Sequence, residues 1–291
     1  MKVRKTFSLM TDGLFLLLFV YLLVFPKYAA EPMRRALEFC GNTLIPSLFI
    51  YMVLAKPIMS FPITEKICNR IGPAPMMLLL GTLCGCPIGA KTAFDLYKKG
   101  AVSKKQAEYL CSFTNNASIS FLLGYVGTEL FGDIRIGLKI LVYQLISSEI
   151  TAIVMKHIMF GKEKLLKADI GSSARIGLRE AVSDSALTML DLTACVCFFM
   201  VAGGVLVNIL SLPAPLDAAL KSVLEFSSGC AAASKTGIYA LPLTAFSIGL
   251  TGGSVAMQVR SVTKGQLSMK PYLTGKIISC AVMTCLAVIF G

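Results

Sequence analysis

The chain has 291 residues, 55% of them hydrophobic and 15% charged, with a net charge of +12 and a mean hydropathy of +0.73. Soluble domains carry about 25% charged residues, so disordered, collagenous and ordinary cytosolic enzyme classes are excluded. The Lys and Arg residues sit between long uncharged runs, the pattern of membrane orientation rather than of nucleic-acid binding.

A bilayer core about 30 Å thick is crossed by roughly 20 apolar residues as a helix. The uncharged runs 39–55, 71–90, 109–128, 192–216 and 236–259 reach or approach that length. They are continuous, whereas a membrane barrel needs alternating polarity. The fold class expected is an all-α polytopic membrane protein embedded in the lipid bilayer.

In chain order, Lys2, Arg4 and Lys5 precede an apolar stretch from Leu9 to Phe25. No clean small-residue cleavage site follows before Pro26 and Lys27, so a retained first span is expected. Further spans are predicted over 38–56, 107–127, 134–156, 185–211 and 271–290, with interrupted apolar regions at 74–97 and 237–261. A basic segment, 156–184, divides the chain. The organisation expected is an N-terminal helix (1–30), a first repeat (31–160), a basic cytoplasmic linker (161–180) and a second repeat (181–291).

Lys and Arg in short loops mark the cytoplasmic side. That places the N-terminus, 98–105 and 156–184 inside, and the charge-balanced segments 127–139 and 212–235 outside. The 74–97 region then starts and ends on one side, which predicts a re-entrant hairpin. Gly81, Gly85, Pro87 and Gly89 fall in its middle, where proline removes a backbone donor and glycine permits unusual angles. Each arm is about ten residues, half a bilayer. The alternative is a kinked span whose glycines pack against neighbours.

The two halves share a pattern. KKGAVSKK (98–105) matches TKGQLSMK (263–270) at four positions, and each follows a glycine-broken run, LCGCPIGAK (83–91) and GLTGGSVAMQ (249–258). Paired glycine-interrupted segments in two halves point to a transporter's binding site. Two structurally related, inverted repeats with re-entrant hairpins and broken helices are therefore expected. Inversion would put 263–270 outside, against the unbalanced Arg260, Lys264, Lys270 and Lys276.

Polar groups at membrane depth are costly and functional by default. The densest cluster is Thr114, Asn115, Asn116, Ser118 and Ser120 within an uncharged run. Adjacent amides cannot face one neighbour on a helix, so they suit a locally opened helix lining a cavity; the alternative is interhelical hydrogen bonding. Lys91 and Asp95 are four apart and fit either a salt-bridged pair or the rim of an anion path. Glu225, beside Ser227 and Ser228, is a candidate for a coupling cation or proton, or a loop carboxylate. Gly252, Gly253, Ser254 and Gln258 make up the corresponding second-half segment. Ten cysteines lie mostly in apolar runs without histidine partners, and the one histidine, His157, follows a span. No metal site, no cofactor motif and no hydrolase or nucleotide-binding signature is read, so no enzyme is expected.

The stretch 84–132, with Gly85, Pro87, Gly89, Ala90, Lys91 and Thr114 to Ser118, followed by LEFSSG (224–229) and GLTGGSVAMQV (249–259), resembles the YlbJ-type sporulation integral membrane protein family. These belong to the nucleoside-recognition, or Gate-domain, membrane proteins. The resemblance implies a fold related to concentrative nucleoside transporters. It implies a carrier of a small anionic solute, dipicolinic acid, across the outer forespore membrane of a spore-forming bacterium. It puts Gly85, Pro87, Gly89, Lys91, Thr114, Asn115, Asn116, Ser118, Glu225, Ser227, Ser228, Gly252, Gly253, Ser254 and Gln258 at the substrate site. Related carriers assemble as oligomers, which makes a homo-oligomer a candidate state. This chain is shorter than familiar members. A nucleoside or other small-solute carrier of the same fold, or a non-transporting sporulation scaffold, fits the same residues.

Overall fold

A computed structural model describes residues 2–59, 61–161 and 177–291. All regular structure among the described residues is helical, with no strand among them. Most of the linker expected at 161–180 lies outside the described residues. Helix α1 (Lys2–Val24) is followed by α2 (Lys27–Phe39), which runs through a π turn (Cys40–Leu44) into α3 (Ile45–Met59). A short α4 (Pro62–Ile71) leads to α5 (Ala74–Cys84) and α6 (Ile88–Lys98). Next come α7 (Lys104–Cys111), an unwound stretch, a π-helical segment (Phe121–Leu130) and α8 (Ile134–Phe160). The second half holds α9 (Leu178–Leu210), α10 (Ala214–Leu224), α11 (Phe226–Ala233), α12 (Ala240–Leu250), α13 (Gly252–Val262) and α14 (Met269–Phe290).

Among the described residues, five segments are long and apolar enough to cross a membrane: 27–58, 134–160, 178–210, 237–262 and 269–290. The protein is a multi-pass membrane protein. The arms α5 and α6 fold back on one another as the charge pattern predicts. Gly85 ends α5 with a φ of 77°, a conformation that glycine adopts freely. Three residues on, α6 begins. Gly81 and Gly89 both abut the carbonyl of Thr114. Eight residues of straight helix would separate them by about 12 Å, so one atom can touch both only because the arms converge.

The second half differs from its expected form. The region 237–261 does not fold back: α12 and α13 form one span, broken at Thr251 (φ 60°), and do not pack along each other. The fold-back lies instead in α10 and α11, within the segment 212–235 expected as an outer loop. There Gly229 packs directly on Ser222 and on the Ser247 hydroxyl. A side chain on Gly229 would separate the arms.

Two recurrences accompany this geometry. Pro-Ala-Pro at 73–75 recurs at 213–215, and in both places the helix breaks 12 residues after the first proline, at Gly85 and at Glu225. Gly89 and Gly229 follow, 16 residues after it in each case. The later breaks correspond too, with Thr114 and Thr251 opening SFTNNAS and GLTGGSV in turn. The likeness of 98–105 to 263–270 has a local origin. In each, a positive-φ glycine (Gly100, Gly265) closes one helix and a serine (Ser103, Ser268) caps the next.

With α10–α11 as the fold-back, an alternating path through the bilayer puts 98–105, 156–161 and 263–270 on one side. Every strongly basic turn then meets the cytoplasm, and the conflict over Arg260, Lys264 and Lys270 disappears. A cysteine in place of Gln266 should react with an impermeant thiol reagent only from the cytoplasmic face, and one in place of Ile238 only from outside. Reaction of both from one face would refute this path.

Candidate functional site

The unwound stretch after α7 shows how the chain tolerates an open backbone at depth. Free main-chain groups cannot be left bare in lipid. The Gln144 side chain from α8 clamps Ala117, accepting from its N–H at 2.9 Å and donating to its carbonyl at 3.0 Å. The ammonium of Lys276, on α14, donates to the carbonyl of Asn115. The Cys86 thiol donates to the carbonyl of Asn116 at 3.1 Å. Asn115 accepts from the N–H of Ala90 (2.9 Å) at the start of α6 and donates to the carbonyl of Cys111 (2.9 Å). Asn116 accepts from Ser148 at 3.2 Å and donates to Thr82 at 3.5 Å.

The break between α10 and α11 is held by an acidic side chain. Glu225 is 1% exposed. One carboxylate oxygen accepts from the Ser227 N–H (3.0 Å), the other from the Ser228 N–H (2.8 Å) and the Ser227 hydroxyl (2.6 Å). It caps α11, whose first N–H groups have no helical partner. The Ser228 hydroxyl donates to the carbonyl of Glu225 at 2.9 Å.

These breaks surround a small cavity of about 20 Å³, room for about one water. Gly85, Cys86, Ala117, Ser118 and Phe121 of the first half line it with Leu192, Val196, Phe226, Val255 and Gln258 of the second, and Leu44, Ser47 and Leu48 close it. Toward the outer side lies a vestibule of about 760 Å³. Ser227, Ser228, Phe39 and Tyr125 are among its walls, with three basic residues (Arg35, Lys221, Lys235) and one acidic (Asp217). A row of rings separates the two spaces. Phe226 packs on Phe121 (5.1 Å between centroids), Phe121 on Tyr125 (5.2 Å) and Tyr125 on Phe39 (5.1 Å).

Met52, Ala55 and Met189 pack in one buried cluster with Leu48 and Leu192, which line the cavity. Beneath them, Lys56 and Lys91 meet on Asp184.

The residues picked from sequence therefore separate into groups. Gly85, Ser118 and Gln258 come together at the cavity. Asn115, Asn116 and the Thr114 carbonyl turn into the protein, where they hold the first break; Pro87 and Gly89 start α6 beside them. Gly252 abuts the carbonyls of Ser222 and Leu224, Gly253 abuts the Phe199 ring, and Ser254 accepts from Gln258 at 3.2 Å. Ser227 and Ser228 face the vestibule, and Lys91 stands apart at the cytoplasmic cluster. Sequence reasoning missed Gln144, Lys276, Lys56 and Asp184. A lysine inside an otherwise uncharged final span was signal enough for Lys276; the partners of the others lie too far along the chain to be read.

The chain is 22% identical, over an alignment of 331 positions, to the sporulation integral membrane protein YlbJ of Bacillus subtilis (strain 168). The alignment covers 96% of this chain and 81% of that protein. This likeness supports the YlbJ-type resemblance read from the motifs. No family model matches the chain, and no solved structure matches it significantly.

Gln144→Leu should strip Ala117 of both partners, and Lys276→Met should leave the carbonyl of Asn115 bare. Each unsatisfied buried group costs about 1–3 kcal/mol, so both variants should melt at lower temperature in detergent, Gln144→Leu the more. Unchanged melting of both would show that these contacts do not hold the break.

Proposed function

We propose that the protein is a carrier that moves a small anionic metabolite through the cavity between its broken helices. The observation that carries this reading is the path itself: an outer vestibule, a row of rings, a cavity walled by breaks from both halves, and a sealed cytoplasmic end. A carrier needs one site reachable from either side in turn. The cavity as it stands is too small for a metabolite, which suits a closed state between the two openings. The fold-backs α5–α6 and α10–α11 start from opposite faces on the alternating path, and so support reading the halves as inverted repeats.

An anionic substrate is favoured by the excess of basic over acidic groups in the vestibule and by Lys91 and Lys56 at the far end. With the similarity to a sporulation protein, dipicolinic acid carried across the outer forespore membrane during sporulation is the substrate and place we assign. It is a flat, aromatic dianion, suited to a row of rings that separates on passage. Ser118 and Gln258 offer it hydrogen bonds inside the cavity.

Purified protein reconstituted in liposomes should transport labelled dipicolinate, and uridine much less. Ser118→Ala together with Gln258→Ala should lower the rate about tenfold, the loss of roughly 1.4 kcal/mol of binding, with abundance and melting unchanged. Faster transport of uridine than of dipicolinate would move the assignment to a nucleoside carrier. No transport of either by folded protein would favour a scaffold.

A further inference from the structure

We infer that Lys56 and Lys91 form a carboxylate-binding seat on the cytoplasmic face, and that Asp184 is its built-in occupant. Three elements meet there: Lys56 from the end of α3, Lys91 from α6 and Asp184 from the first turns of α9. Both ammonium groups converge on the same oxygen, Oδ2 of Asp184, with Lys91 at 2.6 Å. Lys91 also donates to the Thr188 hydroxyl at 3.0 Å, and Lys56 reaches the carbonyl of Ala181 at 3.5 Å. Asp95, one turn on from Lys91, is a second carboxylate within electrostatic reach of both lysines.

The exposures of the three differ in a telling way. The side chains of Lys56 and Lys91 are 13% and 15% exposed, whereas that of Asp184 is 46% exposed. The cations form the recessed part of the cluster and the carboxylate its exposed part. A soluble carboxylate arriving from the cytoplasm meets the two lysines along the same line, and it can take the seat only when Asp184 leaves. Two cations on one oxygen suit a carboxylate, which is the chemistry the protein already places there.

The position gives the seat its role. Lys56 lies eight residues beyond Leu48 on α3, and Asp184 lies eight residues before Leu192 on α9. Leu48 and Leu192 both line the central cavity. On each helix that is about 12 Å, so the seat lies directly below the cavity floor. While Asp184 ties α3 and α6 to α9, that floor is shut. This role rests on the carrier reading; the binding chemistry does not.

The test is calorimetric binding of phthalate and dipicolinate to the purified full chain in detergent, with dipicolinamide as the neutral control. Asp184→Asn removes the internal competitor, so both dicarboxylates should bind about tenfold tighter, as expected for a seat previously free about a tenth of the time. The gain should vanish in Asp184→Asn combined with Lys56→Gln and Lys91→Gln. Lys156→Gln, which removes an exposed lysine of the same face, should bind as wild type does. Unchanged or weaker binding by folded Asp184→Asn overturns the proposal, as does a gain that survives loss of both lysines. Should Asp184→Asn not fold, phthalate should slow acetylation of Lys56 and Lys91 in the wild-type protein but not that of Lys156, and absence of this protection overturns it equally. Transport by the wild-type protein decides the carrier reading separately.

Discussion

An open main chain inside a bilayer is the constraint around which this protein is arranged. Lipid offers no partner to a free carbonyl or N–H, so each break must be satisfied by the protein itself. Around the unwound stretch after α7, that work falls to Gln144, Lys276, Cys86 and the Asn115 side chain. The polar side chains that stand out in the sequence are used up in this way. What remains to face the cavity is mostly apolar, with Ser47, Ser118 and Gln258 as hydrogen-bonding side chains in its wall.

The two inner breaks are held by side chains of opposite type, a basic donor and an acidic acceptor, for a physical reason. A stretch that leaves helical geometry exposes carbonyls, the negative ends of peptide dipoles, and an ammonium from Lys276 meets one of them. The start of α11 exposes N–H groups, the positive end, and the Glu225 carboxylate meets three donors there. Lys276 is met by the carbonyl of Asn115, and Glu225 by two N–H groups and a hydroxyl, so neither relies on the other as a partner. Both are covalently fixed, so neither break depends on a dissolved ion to stay closed.

Composition, the spans expected at 38–56, 134–156, 185–211 and 271–290 and the fold-back at 74–98 were legible because each is written in consecutive residues. Length and hydropathy locate spans, and the glycines and proline at 81–89 locate the turn. The second fold-back was not legible by the same means. Its arms are 11 and 8 residues long, and Asp217, Lys221, Glu225 and Lys235 give its sequence the look of an outer loop. The signal that finds it is the Pro-Ala-Pro recurrence at 73–75 and 213–215. The stronger visual match, KKG with TKG, reports only that helices end in glycine and begin at serine. Among the candidate site residues, Gly85, Ser118 and Gln258 converge because they lie beside breaks. Asn115 and Asn116 turn inward to partners on α6, α7, α8 and α5, and a polar residue type alone does not say which way its side chain points. The Lys56–Asp184 pair spans 128 residues, and no local pattern anticipates it.

On the carrier reading, the two ends of the path resist a solute in different currencies. The outer barrier is a row of four rings, whose contacts are each worth about 0.5–1.5 kcal/mol beyond burial. Such a barrier yields to anything flat that replaces ring-on-ring contact with its own. The inner barrier combines packed methionines with an ion cluster, and separating Asp184 from two recessed lysines leaves uncompensated charge at the membrane boundary unless another anion takes its place. Shape is therefore tested at the outer end and charge at the inner one. An aromatic dicarboxylate satisfies both tests, whereas a neutral ring compound satisfies only the first and an aliphatic anion only the second. Selectivity in this architecture needs no elaborate central pocket, because it is divided between the barriers, and that accounts for a cavity with so few polar groups of its own.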